Sequence, residues 1–172
     1  DWLEFFRSPD KNMFLRQDDG LAGFYPMNAE RAASAEEPDP KEYFQILHGT
    51  DIPTPMRPAT QCMFDLLATL SGDFLSILDF RLPSAAGVAA MFQDTSRAVL
   101  RVAHYPPTST KRDFAAPHTD IDLITLLPPS SAPGLCVLGR DGIWREVAPT
   151  RGEVLVLAGD LLTEVTAGAI LG

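Results

Sequence analysis

Apolar residues recur at three- and four-residue intervals between Pro58 and Phe80, and beyond Pro83 that rhythm stops. This change of period constrains the fold more than any other feature of the chain. Met63, Leu66, Leu67, Leu70, Phe74, Ile77 and Leu78 would line one buried face of a long helix. Pro58 suits the first turn, where its missing N–H has no partner to lose. Gly72 weakens the middle by about 1 kcal/mol relative to alanine. Burying most of those side chains, at roughly 1.5–3 kcal/mol each, outweighs that cost. After Pro83 the pattern predicts short strands over Val99 to Tyr105, His118 to Leu127, Leu135 to Leu138, Ile143 to Val147 and Glu153 to Leu157. Arg140-Asp141-Gly142 is a turn signal that would join two of them as a hairpin. Helices first and strands afterwards make an α+β chain.

Upstream, Trp2, Leu3, Phe5 and Phe6 form an apolar cluster that ends at Ser8-Pro9. Gln17 to Pro40 is polar and acidic, and reads as one long irregular surface segment.

Within the strand-rich half, His118-Thr119-Asp120 stands out. On an extended segment, residues two apart point the same way, so an imidazole and a carboxylate would converge with Thr119 turned aside. A second histidine from elsewhere would complete the 2-His-1-carboxylate arrangement that holds non-heme Fe(II) with coordination positions open. His48 has no partner at ligand spacing. His104 reads as structural, and Asp122 as a group that could support Asp120 without touching the metal.

Composition removes other classes. The chain has 172 residues, 45% hydrophobic and 22% charged, which suits a folded globular protein rather than a disordered one. A net charge of −9 argues against a nucleic-acid surface, and much of the acid sits in Asp18-Asp19, Glu36-Glu37 and Asp39, as solvated loop. No apolar run approaches the roughly eighteen residues of a membrane span. Cys62 and Cys136 match no metal or redox spacing and read as small buried hydrophobes, which points to a reducing cytoplasm. There is no Gly-rich phosphate loop, H-E-x-x-H or G-x-S-x-G.

Three ordered pieces carry a family likeness: Leu100-Arg101-Val102-Ala103-His104-Tyr105-Pro106-Pro107, then Ala116-Pro117-His118-Thr119-Asp120, then Gly134-Leu135-Cys136-Val137 through Gly142-Ile143-Trp144 and Gly159-Asp160 to Thr166-Ala167-Gly168. Over these the chain resembles the C-terminal domain of the isopenicillin N synthase-like, 2-oxoglutarate/Fe(II)-dependent dioxygenases. Phe5-Phe6, Gly23-Phe24-Tyr25-Pro26 and Lys41-Glu42-Tyr43-Phe44 extend the likeness more loosely.

The resemblance implies a helical N-terminal part packed on a double-stranded β-helix, or jelly roll. Residues 1–98 would be a mainly helical region with a long polar loop and 99–172 an incomplete jelly-roll core, together one structural unit. It implies Fe(II), 2-oxoglutarate as cosubstrate, O₂, and a small organic substrate that is hydroxylated, desaturated or cyclised. His118 and Asp120 would be metal ligands, and Tyr105 would help hold the distal carboxylate of 2-oxoglutarate. The asparagine of many plant members is Ala103 here, and Gly159-Asp160 matches a pair the family uses structurally.

By the same spacing, the family's distal histidine and cosubstrate arginine would fall past Gly172. Its opening strand and helix have no counterpart, so the resemblance implies a piece of a longer protein. Two other readings stay open: a family oxidase that dispenses with 2-oxoglutarate, and a non-catalytic oxygenase-like binding scaffold.

Overall fold

The protein is described from a computed structural model at residues 1–17, 20–31, 36–85, 87–92, 97–107 and 114–172. The acidic pair Asp18-Asp19 lies outside the described residues. Contacts divide into two units, Asp1–Leu75 with Ala89–His118, and Ser76–Val88 with Thr119–Gly172.

The first unit is built on a three-stranded antiparallel sheet with β2 (Glu42–Ile46) between β1 (Gly23–Tyr25) and β3 (Leu100–His104). Register pairs Phe24 with Phe44, Phe44 with Val102, and Glu42 with His104. Because side chains alternate along a strand, Phe24, Phe44, Ile46, Leu100 and Val102 gather on one face. Helix α1 (Trp2–Arg7) lays Phe5 and Phe6 against that face, and the Phe5 ring meets Phe44 edge-on at 5.5 Å. A capping box at Asp1 and Glu4 satisfies the first-turn amides of this short helix. The Trp2 indole N–H donates to Thr60 Oγ1 at 3.0 Å, tying α1 to α2 (Arg57–Arg81).

Two expectations fail in this unit. The segment 17–40 contains β1, and β2 follows it directly, so the first half is not helix and loop alone. Strand β2 was invisible to pattern because it is buried along its whole length and carries Glu42 and Gln45 inside, each satisfied by a distant partner. Helix α2 spans the expected residues but turns a different line inward. Thr60, Phe64 and Leu75 are buried, whereas Met63, Leu66, Leu70 and Ile77 are exposed. The inward line passes through Ala68, Ser71 and Gly72, which are partly buried. Counting apolar residues favours the bulkier line beside it.

In the second unit β4 (Ile124–Leu127) pairs antiparallel with β7 (Leu155–Ala158), and β5 (Cys136–Leu138) with β6 (Trp144–Glu146). The β5–β6 hairpin turns where the sequence signals it, with Gly142 at φ 75° in the left-handed region that favours glycine. Asp141 grips Arg145 across the turn. Helix α4 (Asp160–Val165) leaves β7 immediately and buries Leu162. Two short 3₁₀ turns (Pro9–Phe14 and Pro83–Ala85) and α3 (Val88–Met91) complete the described elements. Helices with small antiparallel sheets agree with an α+β chain.

Both cysteines are exposed and unpaired, contrary to the expectation of burial. Cys62 falls on the outward side of α2, and Cys136 on the exposed side of a strand in the two-stranded β5–β6 sheet, where burial alternates. Among the described residues no helix is long and apolar enough to cross a membrane.

Candidate metal centre

His118 and Asp120 do not lie on a strand. Residues 118–123 run as irregular backbone, and β4 begins only at Ile124. The cause is where the carbonyls go. Asp160 N–H donates to the Asp120 carbonyl at 2.7 Å, Leu161 N–H to Asp122 at 3.2 Å, and Gly159 N–H to Leu123 at 3.0 Å. The corner between β7 and α4 has taken the acceptors that a neighbouring strand would have used. Side-chain alternation therefore does not govern 118–120.

Gly159 is the point of closest approach. A Cβ there would stand 2.1 Å from the Asp122 carbonyl oxygen, so only glycine allows the corner to seat. Beside it, Thr119 Oγ1 donates to Asp160 Oδ2 at 2.8 Å. Gly159-Asp160 is thus more than a turn after a strand: it holds the backbone that carries Asp120.

The Asp120 carboxylate is half-buried, and Thr125 Oγ1 lies 2.5 Å from its Oδ2. The same hydroxyl is 3.1 Å from Asp122 Oδ2. Asp122 is exposed as a residue, yet lost hydration at its carboxyl pushes its pKa up. The Thr125 hydroxyl offsets part of that, and the Asp120 charge adds to it.

His118 closes the first unit and Thr119 opens the second. The His118 side chain is exposed, with Nδ1 2.7 Å from the Ala116 carbonyl oxygen. A carbonyl can only accept, so Nδ1 carries a proton, and Nε2 is the ring nitrogen suited to a metal. The Ala116 N–H points at Asp39 Oδ1, 3.5 Å away, and buried Asp39 binds Lys41 at 3.0 Å.

Tyr105 follows β3, half-exposed, its ring edge-on to Phe114 at 5.6 Å. Lys41 sits among acids. Burial opposes its charge, but bonds to Glu30 and Asp39 and the proximity of Tyr105 outweigh this and raise its pKa. His104 Nδ1 meets Glu42 Oε1 at 2.9 Å and its ring stacks on Phe6, so this histidine is occupied structurally. His48 sits in the turn after β2, away from any donor cluster among the described residues.

Sequence reasoning missed Thr125 and the carboxylate of Asp160. Thr125 had a faint signal, a hydroxyl five residues after the acid at the start of an apolar run. Asp160 had none, because its partners are forty residues away.

The chemistry of these donors, imidazole nitrogen and carboxylate oxygen, suits Fe(II). No group of three or more His, Cys, Asp or Glu gathers for a metal among the described residues.

Residues 96–170 match the model of the 2OG-Fe(II) oxygenase superfamily. This segment belongs to that superfamily. The 2OG-Fe(II) oxygenase segment contains β3, the His118–Asp120 loop, both second-unit sheets and α4. Gibberellin 20 oxidase 2 from Oryza sativa subsp. indica is 28% identical over 184 residues, covering 96% of this chain and 47% of the rice protein. The 2-oxoglutarate-Fe(II) type oxidoreductase ppzC of Metarhizium majus is 35% identical over 118 residues, 62% of this chain and 30% of its own. Among solved structures, a Shewanella oneidensis protein provisionally named an oxygenase superposes with a TM-score of 0.76 at 30% identity, covering 97% of this chain and 64% of that one. A Caulobacter crescentus protein, provisionally named a member of the 2OG-Fe(II) oxygenase family, gives 0.71 at 26% identity, over 96% and 60%. The chain spans less than half the length of the curated rice and Metarhizium relatives.

Proposed function

We propose that the protein is a non-heme Fe(II)- and 2-oxoglutarate-dependent dioxygenase that oxidises a small organic molecule. The observation that carries this is the His118-Thr119-Asp120 loop, clamped by the Gly159-Asp160 corner inside a 2OG-Fe(II) oxygenase segment. In this reading His118 Nε2 and one Asp120 oxygen hold the iron, and a further histidine of the whole protein completes the set. β4 to β7 would belong to a jelly roll, as the likeness to oxygenase structures supports.

Iron, 2-oxoglutarate and O₂ supply the oxidising chemistry when bound. The chain's own residues bind and orient. The Ala116 carbonyl fixes the His118 tautomer, and the Thr119–Asp160 bond keeps the loop from relaxing outward. Tyr105 would donate its hydroxyl to the far carboxylate of 2-oxoglutarate. An aspartate at position 120, rather than a small residue, leaves no vacancy for a halide and favours hydroxylation, desaturation or ring chemistry. Two unpaired cysteines suit a reducing compartment, the cytoplasm.

The test is anaerobic Fe(II) with 2-oxoglutarate on the intact protein, watching the visible charge-transfer band of the chelate. His118→Ala and Asp120→Ala abolish the band, and His48→Ala leaves it intact. Tyr105→Phe raises the 2-oxoglutarate needed by about tenfold, the worth of one hydrogen bond to a charged group. Iron binding without any such band would indicate a family oxidase independent of 2-oxoglutarate. No iron binding at all would leave a non-catalytic scaffold.

A further inference from the structure

Asp120 can hold a metal only if its carboxylate is turned the right way, and among the described residues Thr125 reaches that carboxylate from a strand. Thr125 is the second residue of β4, and its backbone is fixed in the ladder opposite Leu157. Its hydroxyl oxygen is 2.5 Å from Asp120 Oδ2 and 3.1 Å from Asp122 Oδ2. A hydroxyl has one proton to give. The contact to Asp120 is the shorter of the two, and the one to Asp122 is the longer.

We propose that Thr125 is a positioning residue for the metal-binding carboxylate: its hydroxyl engages Asp120 Oδ2, fixes the carboxylate rotation, and so presents Oδ1 to the metal. This rests on the reading of Asp120 as a metal ligand. The division of labour with the neighbouring contacts is clear. Asp160 sets the loop backbone through Thr119 and the Asp120 carbonyl, whereas Thr125 acts on the ligand atoms themselves. Placement on a strand rather than in the loop gives the hydroxyl a fixed origin, which an orienting group needs.

The experiment uses Co(II) alone as the probe, titrated into the intact protein and followed by its visible absorption and by calorimetry. Thr125→Val keeps the β-branched shape that suits a strand and removes only the hydroxyl. It is expected to weaken Co(II) binding by about 10–100-fold, the usual effect of losing a partner of a metal ligand. Thr125→Ser, which restores the hydroxyl, returns affinity to within about threefold of wild type on the same basis. A merely structural role would show instead as equal losses in melting temperature with unchanged affinity. Should Thr125→Val not fold, Thr125→Ala serves in its place. Wild-type affinity in a folded variant lacking the hydroxyl overturns the proposal, and so does a serine variant as weak as valine. His118→Ala separates the two readings. If it too binds Co(II) normally, the metal centre itself is misassigned; if it abolishes binding while Thr125→Val does not, only the role of Thr125 falls.

Discussion

Glu42 Oε1 lies 2.9 Å from His104 Nδ1, across the β2–β3 ladder in which the two residues are direct partners. Its other oxygen takes Lys11 Nζ at 2.7 Å, and the carboxylate is buried to 5% exposure. One acid thus ties the turn after α1 to the middle and edge strands, at the rim of the aromatic core. Strand β3 in turn leads into Tyr105.

Removing that acid leaves two cationic or polar groups facing an apolar cluster. Glu42→Ala is expected to lower unfolding free energy by about 3 kcal/mol, the low end for breaking a buried pair, because Lys11 and His104 keep some water. Glu42→Gln retains a hydrogen-bonding shape and loses the charge, so it should cost less, about 1–2 kcal/mol. Urea denaturation of the two variants checks the order. Equal and negligible losses would mean the pair only decorates the fold.

The opposite face of the same sheet predicts an alkaline weakness. Tyr43 is buried, stacked on Tyr25 at 4.4 Å with the Arg101 guanidinium 4.2 Å from its ring centre. Burial, then the charge of Glu30, pushes its phenol up to about 12 from 10.0. Below pH ~10 both folded and unfolded chains keep this proton, and the stabilisation is intact. As pH rises from there toward ~12 the unfolded chain ionises first, so up to about 2–3 kcal/mol is lost. Tyr43→Phe has no proton to lose. Its urea midpoint should fall less than wild type between about pH 9 and about pH 11.5, whereas Lys41, raised in the same direction, weakens both proteins alike. Parallel declines would refute the assignment.

What the sequence disclosed was governed by local signals. The β5–β6 hairpin was legible because Asp141-Gly142 specifies its turn on the spot, and α2 because apolar residues recur at helical spacing from Met63 to Leu78. Strand β2 was not, since Glu42 and Gln45 are paid for by Lys11, Arg101 and the Leu21 carbonyl, all remote in sequence. The His118–Asp120 loop fell between. Its residue types pointed to a metal, but its backbone is set by bonds from Gly159 to Leu161, which no window around it contains. Reading it as a strand identified the candidate ligands through a geometry the protein does not use.

That remote control makes Gly159 a sensitive position. Its φ of −99° is open to any residue, so an alanine meets no backbone strain. It meets the Asp122 carbonyl instead, 2.1 Å from the new Cβ and fixed by the Leu161 amide. Either α4 withdraws or the loop moves, and both break the contacts that seat Asp120. Gly159→Ala is therefore expected to cost about 2–3 kcal/mol as an overpacking change, and to weaken Co(II) binding in the intact protein at least as much as Thr125→Val. Gly152, in a turn where an added Cβ meets nothing, supplies the control: Gly152→Ala at φ 91° should cost only its backbone strain, about 1 kcal/mol, and leave metal affinity alone. Thermal melts and Co(II) titrations on the two variants decide the matter, and equal metal affinity in both would show that the corner does not govern the loop.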